Sequence, residues 1–229
     1  AASARVIVTD DRVAPIWADA AAATMAALGV PVAGRLVFAN GESSKRLSTL
    51  EVLAEQLMEL GADRRSVLVC VGGGVVSDLG GLLAALHFRG IPWIAVPTTL
   101  LAMVDAAVGG KTAVDLARVK NAIGAFHPPR AVLVDVDHVR TEDPRQRRAG
   151  LAEAVKTALI GDADLFERIE RDAEAARDGD PDVLEEIVAR SLAVKIGVVT
   201  RDEHERGERA HLNLGHTFGH ALEAAAGYE

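Results

Sequence analysis

The sequence has one cysteine, Cys70, so it cannot form an internal disulfide bond. Cys70 lies in an apolar run and is expected to be buried and reduced, which indicates a cytoplasmic protein. No apolar run is long enough to cross a membrane, because the longest one, 82–101, is interrupted by His87, Arg89 and two prolines. We therefore expect a cytoplasmic protein with no membrane partner.

Basic residues are in the minority. The chain has 25 Lys and Arg against 33 Asp and Glu, for a net charge of −8. Because nucleic-acid phosphates are bound by dense basic surfaces, we expect no nucleic-acid partner. Lysines and arginines that attract a small anionic substrate must then be clustered locally. The sequence also lacks internal repeats, low-complexity tracts and the G-x-G-x-x-G dinucleotide fingerprint.

The two ends of the chain are abrupt. Ala1 directly precedes a strand pattern, and Glu229 follows a helical pattern that has only just begun. We expect both ends to be cuts through a larger fold, so that part of an active site is missing.

The first 140 residues alternate between short apolar β-rich runs and helical patterns. The predicted strands are 6–8, 36–38, 67–71, 93–96 and 132–134, and the predicted helices are 15–28, 50–60 and 77–88. Apolar strands separated by helices are typical of a parallel, doubly wound sheet. After residue 145 only helical patterns remain, at 147–160, 163–177, 183–200 and 216–226. We predict an α/β N-terminal Rossmann-like parallel-sheet domain at 1–144, followed by an all-α domain at 145–229 that is truncated at its C-terminus.

Two predicted strands end in motifs suited to a nucleotide. Gly72-Gly73-Gly74 follows the strand at 67–71 and precedes a helix with Ser77 and Asp78 at its expected start, which favours phosphate binding. The alternative is a tight turn. Thr98 and Thr99 follow the strand at 93–96, where they could contact a nucleotide or cap the next segment.

The segment 105–124 is rich in glycine and cations and has little periodicity, so a long loop is predicted. Lys111 and Lys120 would supply positive charge to a phosphate, and Asn121 a neutral hydrogen bond. A solvated surface loop is the alternative.

Two helical pairs complete the candidate chemistry. Glu153 and Lys156 are three residues apart, as in a surface salt bridge, but their apolar neighbours favour an inward orientation. His216 and His220 lie four residues apart on one helix face, a spacing that suits a metal ion but also arises by chance.

Taken together, six motifs in this order resemble those of the 3-dehydroquinate synthase family, within the sugar phosphate cyclases. They are Gly-Gly-Gly-Val-Val-x-Asp, Pro-Thr-Thr-Leu-Leu-Ala, Val-Asp-x-x-Val-Gly-Gly-Lys, Lys-Asn-x-Ile-Gly-Ala-Phe, Gly-Leu-Ala-Glu-x-x-Lys and Leu-Asn-Leu-Gly-His-Thr-x-Gly-His-Ala. They span residues 67 to 223, and the similarity upstream is weaker.

The resemblance implies an enzyme of the shikimate pathway. It would convert 3-deoxy-D-arabino-heptulosonate 7-phosphate, a small sugar-acid phosphate, to 3-dehydroquinate and phosphate. The implied sequence is transient oxidation by NAD, phosphate elimination, reduction and an intramolecular aldol addition. The implied cofactors are NAD and Zn²⁺ or Co²⁺, and the implied assembly is a homodimer.

Site residues follow from the same resemblance. Metal ligands would be Glu153 and His216, with a third ligand expected beyond Glu229. The substrate phosphate would be bound by Lys111, Asn121, His220 and Arg89, the last reaching a neighbouring subunit's site. The carboxylate side of the substrate would be held by Lys195 and Arg209, and its hydroxyls by Asp105, Lys156 and Asn213. NAD would be bound by Asp10, Glu42, Lys45, Gly73, Gly74, Asp78, Thr98, Thr99 and Lys120.

The sequence departs from the family pattern in places. Arg12 and Asp115 stand where the family usually has Asn, Val119 stands where Gly is usual, and 141–144 replaces a Thr-Leu-Pro connection. These changes leave room for a sister cyclase, such as an aminodehydroquinate or valiolone-type synthase. A glycerol-type alcohol dehydrogenase is less suited to so many phosphate-binding cations. A catalytically silent NAD- and metal-binding protein is an alternative of another class.

Overall fold

The computed structural model describes residues 2–117 and 119–225, without the side chains at 220, 221 and 223–225. Its strands are β1 (Arg5–Asp10), β2 (Gly34–Phe38), β3 (Val67–Gly72), β4 (Trp93–Pro97), β5 (Lys111–Val114), β6 (Ile123–Phe126) and β7 (Ala131–Val132). Five of them form one parallel sheet in the order β2-β1-β3-β4-β7. This is a doubly wound order in which the direction of winding reverses between β1 and β3. The predicted fold class is confirmed.

Eight α-helices are described. They are α1 (Asp19–Ala27), α2 (Leu47–Glu59), α3 (Gly74–Leu86), α4 (Pro144–Gly161), α5 (Ala163–Arg171), α6 (Ala173–Asp178), α7 (Pro181–Arg201) and α8 (His216–Ala225). After residue 145 the described part of the chain contains helices and no strand, as predicted. None of the described helices combines the length and hydropathy needed to cross a membrane. The domain boundary at 144/145 stays a prediction.

The sheet is covered on both faces because alternate residues of its strands point to opposite sides. Val6 and Val8 of β1 pack into a core with residues of α2 and α3, whereas Ile7 packs toward Trp17 and α1. Cys70 is buried in the first of these cores, as predicted, and burial raises the pKa of its thiol well above the ordinary value.

Two local predictions were wrong. The helix expected from Ser77 begins one turn earlier, at Gly74, directly after the extended Gly73. The segment 105–124 is not a continuous loop, because β5 and β6 pair as an antiparallel hairpin within it. Gly124 permits that pairing, since a Cβ there would lie 2.1 Å from the Thr112 carbonyl oxygen.

A short helical segment joins the sheet to the helical part of the chain. It follows Thr99, and its residues Leu100, Met103 and Val104 are buried in a core shared with α4 and α7. Asp105 in the same segment is thereby placed between the sheet and the helices. Asp105 and Ala106 of this segment line the candidate site described below.

Candidate active site

A cavity of about 500 Å³ opens at the carboxyl ends of β1 and β3, where the winding of the sheet reverses. Ligands of doubly wound folds bind at this position. Every residue predicted to bind NAD lines this cavity: Asp10, Glu42, Lys45, Gly73, Gly74, Asp78, Thr98, Thr99 and Lys120. We call it the first cavity.

The glycine turn brings the backbone close to this cavity. A Cβ at Gly72 would lie 2.3 Å from the Val76 side chain, and one at Gly73 would lie 3.1 Å from that of Thr99. Residues of the first turn of α3, which starts at Gly74, line this cavity, and the free N–H groups of a helix start suit an anion. Thr99 also caps the next segment, since its Oγ1 accepts a hydrogen bond from Ala102 N at 3.2 Å.

An ion pair between a buried lysine and a half-buried carboxylate lies at the wall of the first cavity. Lys45 is 4% exposed, and its Nζ lies 2.5 Å from Oδ2 of Asp78 and 2.5 Å from Oδ1 of Asn121. Burial raises the pKa of Asp78 to about 6 although Lys45 opposes the shift. Burial would lower the pKa of Lys45, but Asp78 more than compensates and the pKa is raised. Lys45 thus connects a predicted NAD residue to a predicted phosphate residue.

The departure at Arg12 affects a side chain but leaves the local turn intact. Oδ1 of Asp10 accepts hydrogen bonds from the backbone N–H groups of Arg12 and Val13, at 2.9 and 2.8 Å. The turn after β1 therefore depends on Asp10, and the Arg12 side chain lies exposed at the rim of the first cavity.

A second cavity of about 590 Å³ lies between the β5–β6 hairpin and the helical part of the chain. It meets the first cavity at Asp78 and Ala106, which line both. Predicted substrate and metal residues that line the second cavity are Asp105, Lys111, Asn121, Lys156, Lys195, Arg209, Asn213 and His216. The structure therefore brings the two predicted sets of residues to adjoining cavities.

Asp105 and Lys195 form an ion pair in the second cavity, in which the lysine is buried and the carboxylate is half-buried. Nζ of Lys195 lies 2.5 Å from Oδ1 of Asp105, and the lysine is 6% exposed. Burial would raise the pKa of Asp105, but Lys195 and Lys156 outweigh it and hold that pKa below the ordinary value. Burial lowers the pKa of Lys195 despite its partner. The cavity thus has a fixed carboxylate beside two ammonium groups.

Arg209 is buried and anchored by backbone carbonyls. Its Nη2 donates to the Gly109 oxygen at 2.8 Å, and its Nη1 donates to the Glu203 oxygen. Gly109 has a φ of 106°, and a Cβ there would lie 2.6 Å from Nη2 of Arg209. A glycine is therefore needed at 109 both for the backbone and for the arginine.

Replacing Gly109 by alanine should lower the free energy of unfolding by about 3 kcal/mol, because the backbone is strained and Arg209 is displaced. Gly29→Ala is the matched control, since Gly29 also has a positive φ, of 74°, but a Cβ there would have no other atom within 4 Å. Gly29→Ala should lower the free energy of unfolding by about 1 kcal/mol. Urea denaturation compares the two, and equal losses would show that the contact with Arg209 contributes nothing.

The pair Glu153 and Lys156 points inward, as its sequence setting suggested. Lys156 is 8% exposed and forms an ion pair with Glu153. Oε2 of Glu153 is the buried oxygen that contacts this ammonium group. His216 lines the same cavity as Lys156, close enough to Asp105 to influence its pKa.

These observations suit a metal ion only in part. A buried carboxylate oxygen, here paired with Lys156, and an imidazole that lines the second cavity are donor types that Zn²⁺ accepts. Within the described residues, however, no group of three or more His, Cys, Asp and Glu side chains is arranged to hold a metal. The third ligand expected beyond Glu229 stays a prediction.

Glu153 lines neither cavity and reaches the second one only through its ion pair with Lys156. Two further predicted site residues are not placed in the site. Arg89 lines neither cavity and lies exposed in a turn at 88–90, where Phe88, Arg89 and Gly90 all have positive φ. The side chain of His220 lies outside the described part of the structure. The roles given to both stay predictions.

Two glutamates are among the cavity residues that were not identified from the sequence. Glu205 lines the second cavity, and nothing in its local sequence indicated this position. Glu142 lines the first cavity, and the altered 141–144 connection could have signalled it. Both oxygens of Glu142 lie near Leu100 N, at 3.3 and 3.2 Å, and burial raises the pKa of its carboxyl to about 7.

Because the pKa of Glu142 is higher in the folded chain, its contribution to stability is full below its unfolded pKa and is lost as pH rises through about 7. Glu142→Gln should therefore be more stable than the parent at pH 8, by up to about 3 kcal/mol, and similar to it at pH 4.5. Thermal unfolding across this range, with the exposed Glu51→Gln as control, tests the effect. A pH-independent difference would contradict it.

Comparison with known proteins agrees with the geometry. The model of the 3-dehydroquinate synthase N-terminal region matches residues 35–149, and that of the C-terminal region matches 150–229. A 3-dehydroquinate synthase of Xanthomonas campestris pv. campestris is 49% identical over 224 residues, which is 97% of this chain and 60% of that protein. The chain thus spans about 60% of the length of the curated relatives that it matches.

Solved structures show the same fold. A 2-epi-5-epi-valiolone synthase from Streptomyces hygroscopicus subsp. jinggangensis, with NAD⁺ and Zn²⁺ bound, is 32% identical with a TM-score of 0.91, covering 98% of this chain and 63% of its own. A 2-deoxy-scyllo-inosose synthase with carbaglucose-6-phosphate, NAD⁺ and Co²⁺ is 36% identical with a TM-score of 0.89, covering 96% and 61%. With both family regions matched and nearly half of the aligned residues identical over almost its whole length, the chain belongs to the 3-dehydroquinate synthase family.

Proposed function

We propose that the protein carrying this chain is a 3-dehydroquinate synthase, which converts 3-deoxy-D-arabino-heptulosonate 7-phosphate to 3-dehydroquinate and phosphate. The observation that carries the proposal is the pair of adjoining cavities that share Asp78 and Ala106. One has the residues expected to hold a dinucleotide, and the other is lined by four lysine and arginine side chains against three carboxylates, although the whole sequence has a net charge of −8. Such a local cluster suits an anionic substrate.

NAD would lie in the first cavity, with its phosphates at the start of α3 and its nicotinamide near Asp78 and Ala106. Bound NAD would supply a transient hydride acceptor. The cofactor assignment is supported by the NAD⁺ in both solved relatives. Lys45 and Asp78 would keep the cavity wall in place, because each neutralises the other's buried charge.

Glu153 and His216 would hold Zn²⁺ or Co²⁺, the ions found in the two solved relatives, with a third ligand from outside this chain. Such an ion would act as a Lewis acid toward the substrate hydroxyls. Its binding would replace the contact of Glu153 with Lys156 and leave the lysine ammonium free to donate to the substrate.

The second cavity would bind the substrate through its two anionic ends. Lys111 and Asn121 would bind the phosphate, while Lys195 and Arg209 would attract the carboxylate. Asp105 would accept a hydrogen bond from a substrate hydroxyl, since Lys195 and Lys156 keep its carboxyl ionised. We further propose a cytoplasmic homodimer in which Arg89 and His220 complete the phosphate site.

A sister cyclase is the second candidate, because both solved relatives named above are synthases of other cyclic products. The carboxylate distinguishes the two reactions, since sedoheptulose 7-phosphate has a phosphate but no carboxylate. Lys195 and Arg209 are 6% and 2% exposed, and such buried cations favour a substrate with a second anionic group.

The test is phosphate release by the purified protein from each of the two sugar phosphates, with NAD and Zn²⁺ or Co²⁺ added. The proposal predicts phosphate release from the heptulosonate phosphate only. It predicts no release when bound NAD has been removed from the protein and none is added. Turnover of sedoheptulose 7-phosphate alone would identify a sister cyclase. Binding of NAD and metal without turnover of either would indicate a catalytically silent binding protein.

A further inference from the structure

Part of the first cavity has an apolar, aromatic wall to which the proposed function gives no role. Ile16, Trp17 and Leu101 line the first cavity but not the second. The nicotinamide is placed where the two cavities meet and the phosphates at the start of α3, so the adenine falls to the remaining wall. Apolar and aromatic side chains suit a flat purine ring.

Trp17 is held in place by the connection between the sheet and α4. Its Nε1 donates a hydrogen bond to Oγ1 of Thr141 at 2.8 Å, and its ring meets that of His138 edge-on, with 4.5 Å between centroids. Nδ1 of His138 lies 3.2 Å from the carbonyl oxygen of Pro97, at the end of β4. These contacts order the wall and bring the residue after Thr141 to the cavity.

That residue, Glu142, adds a carboxylate to the wall. Glu142 is 8% exposed, lines the first cavity and accepts a hydrogen bond from Leu100 N at 3.2 Å. In the described part of the chain, this N–H is the donor to the carboxylate. Because a carboxylate has about four acceptor positions, one N–H fixes the group and leaves positions for a donor in the cavity.

The fold gains nothing from the charge of Glu142 above neutral pH. Burial raises the pKa of its carboxyl to about 7 although Arg147 opposes the shift, so the ionised form disfavours folding. The Thr-Leu-Pro connection of the family has an apolar leucine after the threonine. A buried acidic group that lowers stability and lines a ligand cavity is a candidate for binding.

We propose that Glu142 selects adenine as the base of the dinucleotide, by accepting a hydrogen bond from its exocyclic amino group while Trp17 packs against the ring. This inference rests on the proposed placement of NAD in the first cavity. Adenine has an N6 amino donor, whereas hypoxanthine has a carbonyl oxygen at that position, which a carboxylate repels. A site built to accept a hydrogen bond rejects an analogue without the donor more strongly than an apolar site does.

The test compares the dissociation constants of NAD and of nicotinamide hypoxanthine dinucleotide, its deaminated analogue. Both are measured by titration calorimetry at pH 8, where Glu142 is mostly ionised, after bound NAD has been removed from the protein. The parent protein should bind NAD at least about tenfold more tightly than the analogue, as expected for one hydrogen bond to a charged group.

Two replacements of Glu142 should reduce this discrimination. Glu142→Leu, which introduces the apolar residue of the family connection, should bring the ratio of the two dissociation constants to about twofold or less. Glu142→Gln should also lower the ratio, because its amide can accept from the adenine amino group or donate to the hypoxanthine oxygen. Since the ratio compares two ligands on one protein, a change in stability alone does not alter it.

Asp143→Asn is the matched control. Asp143 is the adjacent residue and lines the same cavity, but its Oδ1 caps α4 by accepting a hydrogen bond from Arg145 N at 2.7 Å. This replacement removes the same charge and should leave the ratio unchanged. An equal fall in the ratio for Asp143→Asn and Glu142→Leu would overturn the proposal, because nearby charge would then explain the selection without a contact to the base.

The remaining outcomes separate the two proposals. A parent protein that binds neither dinucleotide would show that the cofactor is wrongly placed, and the role of Glu142 would fall with it. A parent protein that binds both dinucleotides equally, or a Glu142→Leu protein that keeps the full ratio, would overturn only the selection of adenine by Glu142.

Discussion

Replacing Lys45 by methionine is expected to abolish detectable NAD binding and to lower the free energy of unfolding by about 3–5 kcal/mol. Lys45 is 4% exposed, and its Nζ lies 2.5 Å from oxygens of both Asp78 and Asn121. Without it, Asp78 becomes a buried charge with no partner, and its pKa, already about 6, rises further. The stability loss should therefore be greater at pH 8 than at pH 5.

A double replacement separates stability from binding. In Lys45→Met/Asp78→Asn no buried charge is left unpaired, so most of the lost stability should return. NAD binding should not return, because both side chains at the cavity wall have changed. Urea denaturation and calorimetric titration with NAD provide the two readouts. A Lys45→Met protein that is as stable as the parent and binds NAD normally would refute the role given to this pair.

Replacing Glu153 by glutamine is expected to lower turnover at least about a thousandfold, since a Lewis-acid metal contributes several kcal/mol to such chemistry. The neutral amide would be a weaker metal ligand than the carboxylate. The replacement would also leave the buried ammonium group of Lys156 without its ion-pair partner. Metal content measured by elemental analysis should fall together with turnover.

The control for this variant is Glu167→Gln, an exposed carboxylate of α5 outside both cavities. It should retain metal and activity. If Glu153→Gln kept full metal content and full turnover, Glu153 would not be a ligand, and the proposed metal site would be wrong.

The sequence predicted the sheet well because the strands are apolar on both faces. Val67–Gly72 and Trp93–Pro97 are short apolar runs flanked by helical patterns, which leaves few alternatives to a parallel sheet. The β5–β6 hairpin was missed because β6 is largely exposed and contains Gly124, so its pattern is that of a loop. What fixes the hairpin is close backbone approach, which composition does not reveal.

The start of α3 was misplaced for a related reason. Gly74 and two β-branched valines are poor helix formers, so Ser77 was the better local candidate for the first turn. Packing of Val76 and Leu79 in the core overrides this local preference. The earlier start puts Asp78 in the second turn, where it reaches Lys45 and both cavities.

The composition of the site was predictable, but its internal contacts were not. The sequence motifs identified most of the residues that line the cavities. They did not indicate the contact of Lys45 with Asn121, because it joins segments 76 residues apart in sequence. Glu205 was missed because its position depends on the turn held by Asp202 and on the hairpin opposite. Such contacts depend on tertiary packing and leave no periodic signal in the sequence.

The most direct test of the two-cavity arrangement is a crystal structure of the protein with NAD, Zn²⁺ and a non-hydrolysable phosphonate of the sugar acid. We predict the dinucleotide along the first cavity with its nicotinamide at Asp78 and Ala106, the phosphonate at Lys111, and the metal on Glu153 and His216. A dinucleotide bound elsewhere, or a metal that does not contact Glu153 and His216, would contradict it.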